Sequence, residues 1–199
     1  MSTDLPALIQ SIGYVGVWGI VFAESGLLIG FFLPGDSLLF TAGFLASQHL
    51  LNVWLLVVGA AVCAIAGDSV GYFTGHRFGR RLFRREDSRF FHKDHLISAQ
   101  KFYDRHGGKA LVLARFMPII RTFAPITAGM GKMHYPTFLS YNLAGGIAWT
   151  FGLTLLGYFL GSVIPNVDHY LLPIVLIIIV ISLLPSAFHL WQEKRRHRR

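Results

Sequence analysis

Charge is scarce in this chain and cysteine nearly absent. Of 199 residues, 14% are Asp, Glu, Lys or Arg, against about a quarter in an ordinary soluble domain. The single cysteine, Cys63, excludes an intramolecular disulfide and a cysteine-built metal cluster, and in its apolar stretch it reads as a small core residue. Charge is missing altogether from residues 37–67 and from 170–191, each long enough to span a bilayer. The N-terminal MSTDLPAL has no basic region and no A-x-A site ahead of the first apolar run, so a cleaved signal peptide is not expected. With 53% apolar residues the chain has the composition of an integral membrane protein.

The charge that is present is concentrated. The net charge is +8; ten of the 18 Lys and Arg residues lie between Arg77 and Lys109, and five between Lys194 and Arg199. Short basic segments beside apolar spans mark the cytoplasmic side of a membrane. Neither cluster carries the stacking platform or groove-fitting motif of a nucleic-acid module, so orientation is the expected role, with attraction to anionic head groups second.

Against this background four charges stand out. The first apolar run carries Glu24 and ends at Pro34-Gly35-Asp36; Arg115 and Arg121 sit inside the second, which reaches Pro125. Glu24 lies ten residues before Pro34, and Arg115 ten before Pro125. A charge at the bilayer centre costs about 2.5–3.5 kcal/mol on insertion scales. Four facing lipid would cost roughly 10 kcal/mol, as much as the stability of a whole domain. They are therefore expected to face one another, water or a charged ligand.

A short repeat accompanies the charges. Gly71-Tyr72-Phe73-Thr74-Gly75 recurs as Gly157-Tyr158-Phe159-Leu160-Gly161. Each half reads as a broken apolar segment (14–46 and 110–132) followed by an uninterrupted span. Prolines interrupt apolar helices, and freed backbone groups at membrane depth need protein or a wet cavity to satisfy them. The expected fold is all-α: two re-entrant hairpins, broken at Pro34, Gly35, Pro118 and Pro125, each followed by a transmembrane helix, in an inverted repeat. Residues 1–13 form an N-terminal segment, 14–75 and 108–161 the two halves, 76–107 a basic amphipathic linker, and 162–199 a last span with a basic tail. Asp94 can cap a linker helix; His92 and His95 lack the further ligand a metal site needs.

Arg115 and Arg121 would stand about 240° apart on one continuous helix. Pro118, midway between them, supplies a break that lets both aim at one point, where paired planar forks suit a phosphate. The alternative is that each only locks against Glu24 or Asp36. A carboxyl displaced from an arginine in a low-dielectric cavity can take up a proton, which makes Glu24 and Asp36 proton-coupling candidates. Asp36 can equally cap a helix starting at Ser37. Asp68 is a secondary candidate that could instead snorkel toward Arg77. Asn142 reads as an interhelical hydrogen bond, Trp54 as an interface residue, and Trp18 and Trp149 as interior packing.

FLPGDSLLFTAGFLAS (32–47), GDSVGYFTGHRFG (67–79), FYDRHGGKALVLARFMPIIRTFAPITAGMGKM (102–133) and YNLAGGIAW (141–149) resemble the DedA family of bacterial inner-membrane proteins. The resemblance covers about residues 14–161. It implies a fold shared with lipid scramblases of the VTT-domain type, with two hairpins facing each other. It also implies transport of lipid across the cytoplasmic membrane driven by the proton motive force, undecaprenyl phosphate recycling being the best-known role. The family's acidic pair maps onto Glu24 and Asp36, and its arginine pair onto Arg115 and Arg121.

The expected protein is thus a multi-pass inner-membrane flippase for a phosphate-bearing lipid, undecaprenyl phosphate or an anionic phospholipid, with protons as co-substrate. No cofactor, metal or nucleic acid is expected, and a homo-oligomer stays open. A proton-coupled ion or small-solute transporter is the alternative. A lipid phosphatase would need a nucleophile or metal with an acid–base partner, and no histidine lies beside the arginines; no enzymatic activity is expected. A scaffold has no reason to bury four charges.

Overall fold

The computed structural model describes residues 5–27, 33–84, 101 and 105–163. The expected span at 170–190, the linker residues Asp94, His92 and His95, and the tail after Trp191 lie outside the described residues. The main elements are α1 (Leu5–Gly26), α2 (Gly35–Ser47), α3 (Val53–Arg84), α4 (Lys109–Ala114), α5 (Pro118–Met130) and α6 (Tyr135–Val163). Among the described residues there is no strand.

Among the described residues, two helices are long and apolar enough to cross a membrane: Val53–Phe78 within α3, and α6. Their most apolar stretches are only 39% and 33% buried within the protein. Val58, Val62 and Phe73 on α3, and Leu156, Phe159 and Leu160 on α6, point outward. A core helix of a soluble protein would bury such side chains; these present them to an apolar surrounding.

The chain divides into two compact units, Met1–Leu33 with Trp54–Gly152, and Pro34–Val53 with Leu153–Arg199. In the first unit, glycines bring helix backbones together where bulkier side chains would hold them apart. Gly26 and Gly67 let α1 run alongside α3; a Cβ on Gly67 would come within 2.7 Å of the Phe22 carbonyl. One end of this contact is covered by Trp18, which lies over Gly59 and donates its indole N–H to the Leu56 carbonyl at 3.2 Å. Gly75 of α3 faces the Ile126 carbonyl while Gly129 of α5 faces the Tyr72 carbonyl, and one turn earlier on both helices Gly71 meets Pro125, so α3 and α5 run in the same direction. Gly108 lies against the Tyr141 ring and Gly145 against Val112, which sets α4 alongside α6 in the same direction. The buried cluster Tyr72, Leu111, Ala114, Ala124, Ala128 and Phe138 ties α3, α4, α5 and α6 together. In it the Tyr72 ring packs on Phe138 at 4.6 Å, and its hydroxyl donates to the Met133 carbonyl.

The second unit repeats one of these contacts. Gly43 of α2 faces the Thr154 carbonyl and Gly157 of α6 faces the Phe40 carbonyl, and one turn later on both helices Gly161 meets Ser47, so these two helices also run in the same direction. Gly161 packs on Ser47 and Phe44, and the Gln48 amide donates to the Gly161 carbonyl at 3.1 Å. By packing, Gly157 therefore corresponds to Gly75. The pentapeptide match pairs Gly157 with Gly71 instead, one helical turn out of register.

The turn between α4 and α5 follows from Pro118. A residue before proline is pushed out of the helical region, and Met117 sits at φ −119°, ψ 106°. Pro118 then opens α5 at its first turn, where a missing N–H costs nothing. Pro125 corrects the expectation of a second break: α5 continues through it to Met130. It forgoes one helix bond, and tertiary packing makes up the loss, its ring lying where α3 presents only Gly71. Pro34 and Gly35 stand at the start of α2.

Candidate functional site

Within the first unit, five helical segments bring polar side chains to one place. Arg115 follows directly after α4, in the turn that Pro118 enforces. Its chain lies across Gly145 of α6, where a Cβ would meet the Arg115 Cδ at 3.1 Å. From there Nη2 donates both to the Asp68 carboxylate on α3 and, at 2.7 Å, to the Asn142 side-chain oxygen on α6. Asn142 is itself oriented by donating to the Ile65 carbonyl at 3.0 Å. One turn into α5, Arg121 donates through Nη2 to the Glu24 carboxylate on α1. Beneath both guanidiniums lies the Trp149 ring, 5.8 Å from Arg115 and 5.2 Å from Arg121.

The site is sealed. Glu24 is 1% exposed and Asp68 and Arg115 are under 10%. Glu24 Oε2 and Arg115 Nε have no hydrogen-bond partner among the described residues. A pocket of about 10 Å³, room for about one water molecule, is lined by Ser25, Asp68, Arg115, Arg121 and Trp149. Desolvating two ion pairs cancels most of what their attraction gains, whereas removing one partner costs about 3–5 kcal/mol. Such pairs are poor as stabilisers and well suited to exchange one charged partner for another. Among the described residues, no three of His, Cys, Asp and Glu gather to hold a metal ion.

Of the residues singled out from sequence, the first unit brings together Glu24, Asp68, Arg115 and Arg121. Asp36 lies in the second unit, within the first turn of α2. That helix begins at Gly35 with Pro34 in the capping position, so Asp36 does not cap a helix starting at Ser37. Arg115 pairs with Asp68, a residue expected either to serve as a spare or to reach for Arg77. The parallel docking of α4 on α6 points Arg115 back at α3, which is what selects Asp68. Asn142 was expected only to bridge helices; it does so and also holds Arg115. Trp149 was expected to be plain interior packing. A signal for it exists in the spacing: Asn142, Gly145-Gly146 and Trp149 fall at i, i+3/i+4 and i+7, one face of a helix cleared for a long side chain.

Comparison with known proteins agrees with this architecture. A family model described as the VTT domain matches residues 33–159, a range that includes both arginines, Asp36, Asp68, Asn142 and Trp149 but not Glu24. The chain is 44% identical over 196 residues to the DedA protein of Escherichia coli, covering 94% of this chain and 89% of that one. It is 44% identical over 180 residues to an uncharacterised membrane protein of Mycobacterium leprae, covering 90% and 80%. With an uncharacterised membrane protein of Mycobacterium bovis it shares 39% over 199 residues, covering 97% and 91%. No solved structure matches it. The chain belongs to the VTT-domain, or DedA, family of membrane proteins.

Proposed function

We propose that this protein moves a phosphate-bearing lipid across the cytoplasmic membrane at the expense of the proton motive force, with undecaprenyl phosphate or an anionic phospholipid as cargo. The observation that carries it is the convergence of Arg115 and Arg121, from either side of a proline break, on one pocket over Trp149. Each arginine is held by a buried carboxylate that a phosphate could replace. A planar guanidinium offers paired donors to phosphate oxygens, and two of them match its charge.

The pocket has room for about one water, so phosphate entry requires the ion pairs to part. The topology that suits this is an inverted pair of re-entrant hairpins, α1 with α2 and α4 with α5, around spans α3 and α6. Two parallels support it. The Gly75–Gly129 and Gly157–Gly43 contacts have the same reciprocal geometry, and α1 on α3 and α4 on α6 both run in the same direction. The arginine-rich linker would then face the cytoplasm.

The test is lipid transfer in proteoliposomes holding labelled undecaprenyl phosphate or phosphatidylglycerol, with and without an imposed pH step. Acceleration by the pH step, lost on Arg115→Ala, is the expected result. The small pocket also favours a second reading, a proton-coupled carrier of a small ion. Ion flux without lipid transfer in the same vesicles would select it.

A further inference from the structure

We infer that Asp68 is the group that takes up a proton when an anionic phosphate occupies the pocket, while Glu24 stays charged as the fixed partner of Arg121. The inference rests on the phosphate reading of the two arginines and names the coupling residue within it.

Charge balance comes first. Within the first unit, two guanidiniums, Arg115 and Arg121, face two carboxylates, Asp68 and Glu24, in a nearly sealed site. Adding a phosphate leaves the site with surplus negative charge, which a buried environment penalises heavily. Protonating one carboxylate restores the balance: the O–H bond forms on a carboxylate oxygen, and its arginine turns to the phosphate.

Geometry then chooses between the two. Asp68 lines the pocket and Glu24 does not. An entering phosphate meets Asp68 and Arg115 directly, whereas Glu24 is enclosed on the α1 side of Arg121. Arg115 also has a second hold: Asn142 accepts from the same Nη2 and is braced by the Ile65 carbonyl. If Asp68 is neutralised, Asn142 keeps Arg115 aimed at the pocket. Among the described residues of the first unit, the charged groups facing Asp68 are Arg115 from the turn after α4, Arg121 from α5 and, behind it, Glu24 from α1. From α6 it is faced by uncharged Asn142 and Trp149, and the phenol of Tyr72 stands one turn further along α3.

The occupied site holds one more proton than the unoccupied one, so affinity falls as pH rises. A single linked proton weakens binding by up to about tenfold per pH unit. The probe is decyl phosphate, titrated into the detergent-purified full chain between about pH 6 and about pH 8. Its own second ionisation near pH 6 is common to all variants and cancels in the comparison. The parent should show that slope in full. In Asp68→Asn the slope should drop by up to about one unit of log affinity per pH unit, with binding at the high end tighter than in the parent; Asp68→Glu should restore the slope. In the parent chain at neutral pH, infrared difference spectra should gain a protonated-carboxyl band on binding, so the idea stays testable if Asp68→Asn does not fold. An unchanged slope in Asp68→Asn, no such band in the parent, or a band that Asp68→Glu does not shift overturns the assignment while leaving the phosphate site standing. If the parent binds no decyl phosphate at any pH, the phosphate reading falls and this inference with it.

Discussion

The Trp149 ring centre lies 5.2 Å from the Arg121 guanidinium, and the same ring is 5.8 Å from Arg115. Two like charges are thereby held over one aromatic surface, which eases their mutual repulsion without supplying a counter-ion that a ligand would have to displace. A desolvated cation–π contact contributes about 2 kcal/mol. Trp149→Leu should cut lipid transfer by about tenfold or more, and Trp149→Phe should retain most of it. Equal rates for the two variants in proteoliposomes would show that only the bulk of Trp149 matters.

The arginines should not tolerate lysine. Arg115→Lys keeps the charge but cannot reach Asp68 and Asn142 while offering a planar fork to phosphate, and Arg121→Lys loses the same fork. Both variants should insert and express near normally yet transfer lipid more slowly than the parent, alanine variants being slower still. Parent-like rates for both lysine variants would rule out bidentate phosphate binding.

The glycines offer a test of packing that is independent of transport. A methyl group on Gly129 would run into the Tyr72 carbonyl, and one on Gly75 into the Ile126 carbonyl. Gly129→Ala and Gly75→Ala should each destabilise the protein by about 1–3 kcal/mol, the range for forced overpacking. Gly152→Ala meets nothing within 4 Å and should leave the melting temperature in detergent unchanged or slightly raised. Melting curves on the three variants check this directly.

Asp36 separates two roles cleanly. Its charge in the first turn of α2 favours the helix dipole by about 0.3–1 kcal/mol. Asp36→Asn removes that charge while keeping the side chain's shape. If Asp36 also serves transport, as its match to the family's acidic pair implies, proton-stimulated lipid transfer should fall sharply. Normal transfer with a lowered yield would leave Asp36 as a helix stabiliser alone.

The presence of a buried charged site was legible in the sequence because the insertion penalty leaves Glu24, Arg115 and Arg121 no other economical place. Which carboxylate meets which arginine was not. That depends on whether neighbouring helices dock parallel or antiparallel, and the glycines that decide it say only that some backbone comes close. The same limit explains the pentapeptide. Gly71 and Gly75 both lie on the α5 side of α3, so a match of letters cannot tell which of them is the counterpart of Gly157. Pro125 misled for a related reason. A proline weakens a helix locally, but a groove of the right depth at Gly71 lets the helix pass through it. Trp149 gave little warning because an aromatic residue in an apolar span is ordinary until a cation is seen above it.

The paired contact of Gly75 and Gly129 also limits how α5 can move. Sliding α5 by one turn along α3 would drive Pro125 into the carbonyl that Gly129 now faces, so that direction is blocked much as a tooth blocks a rack. Tilting meets no such obstacle, because a glycine set against a carbonyl has no side chain to unlock. The contact is a fulcrum. Arg121 sits two turns away from it on α5, far enough for a small rocking of the helix to lift its guanidinium off Glu24 and Trp149 while the joint with α3 stays closed.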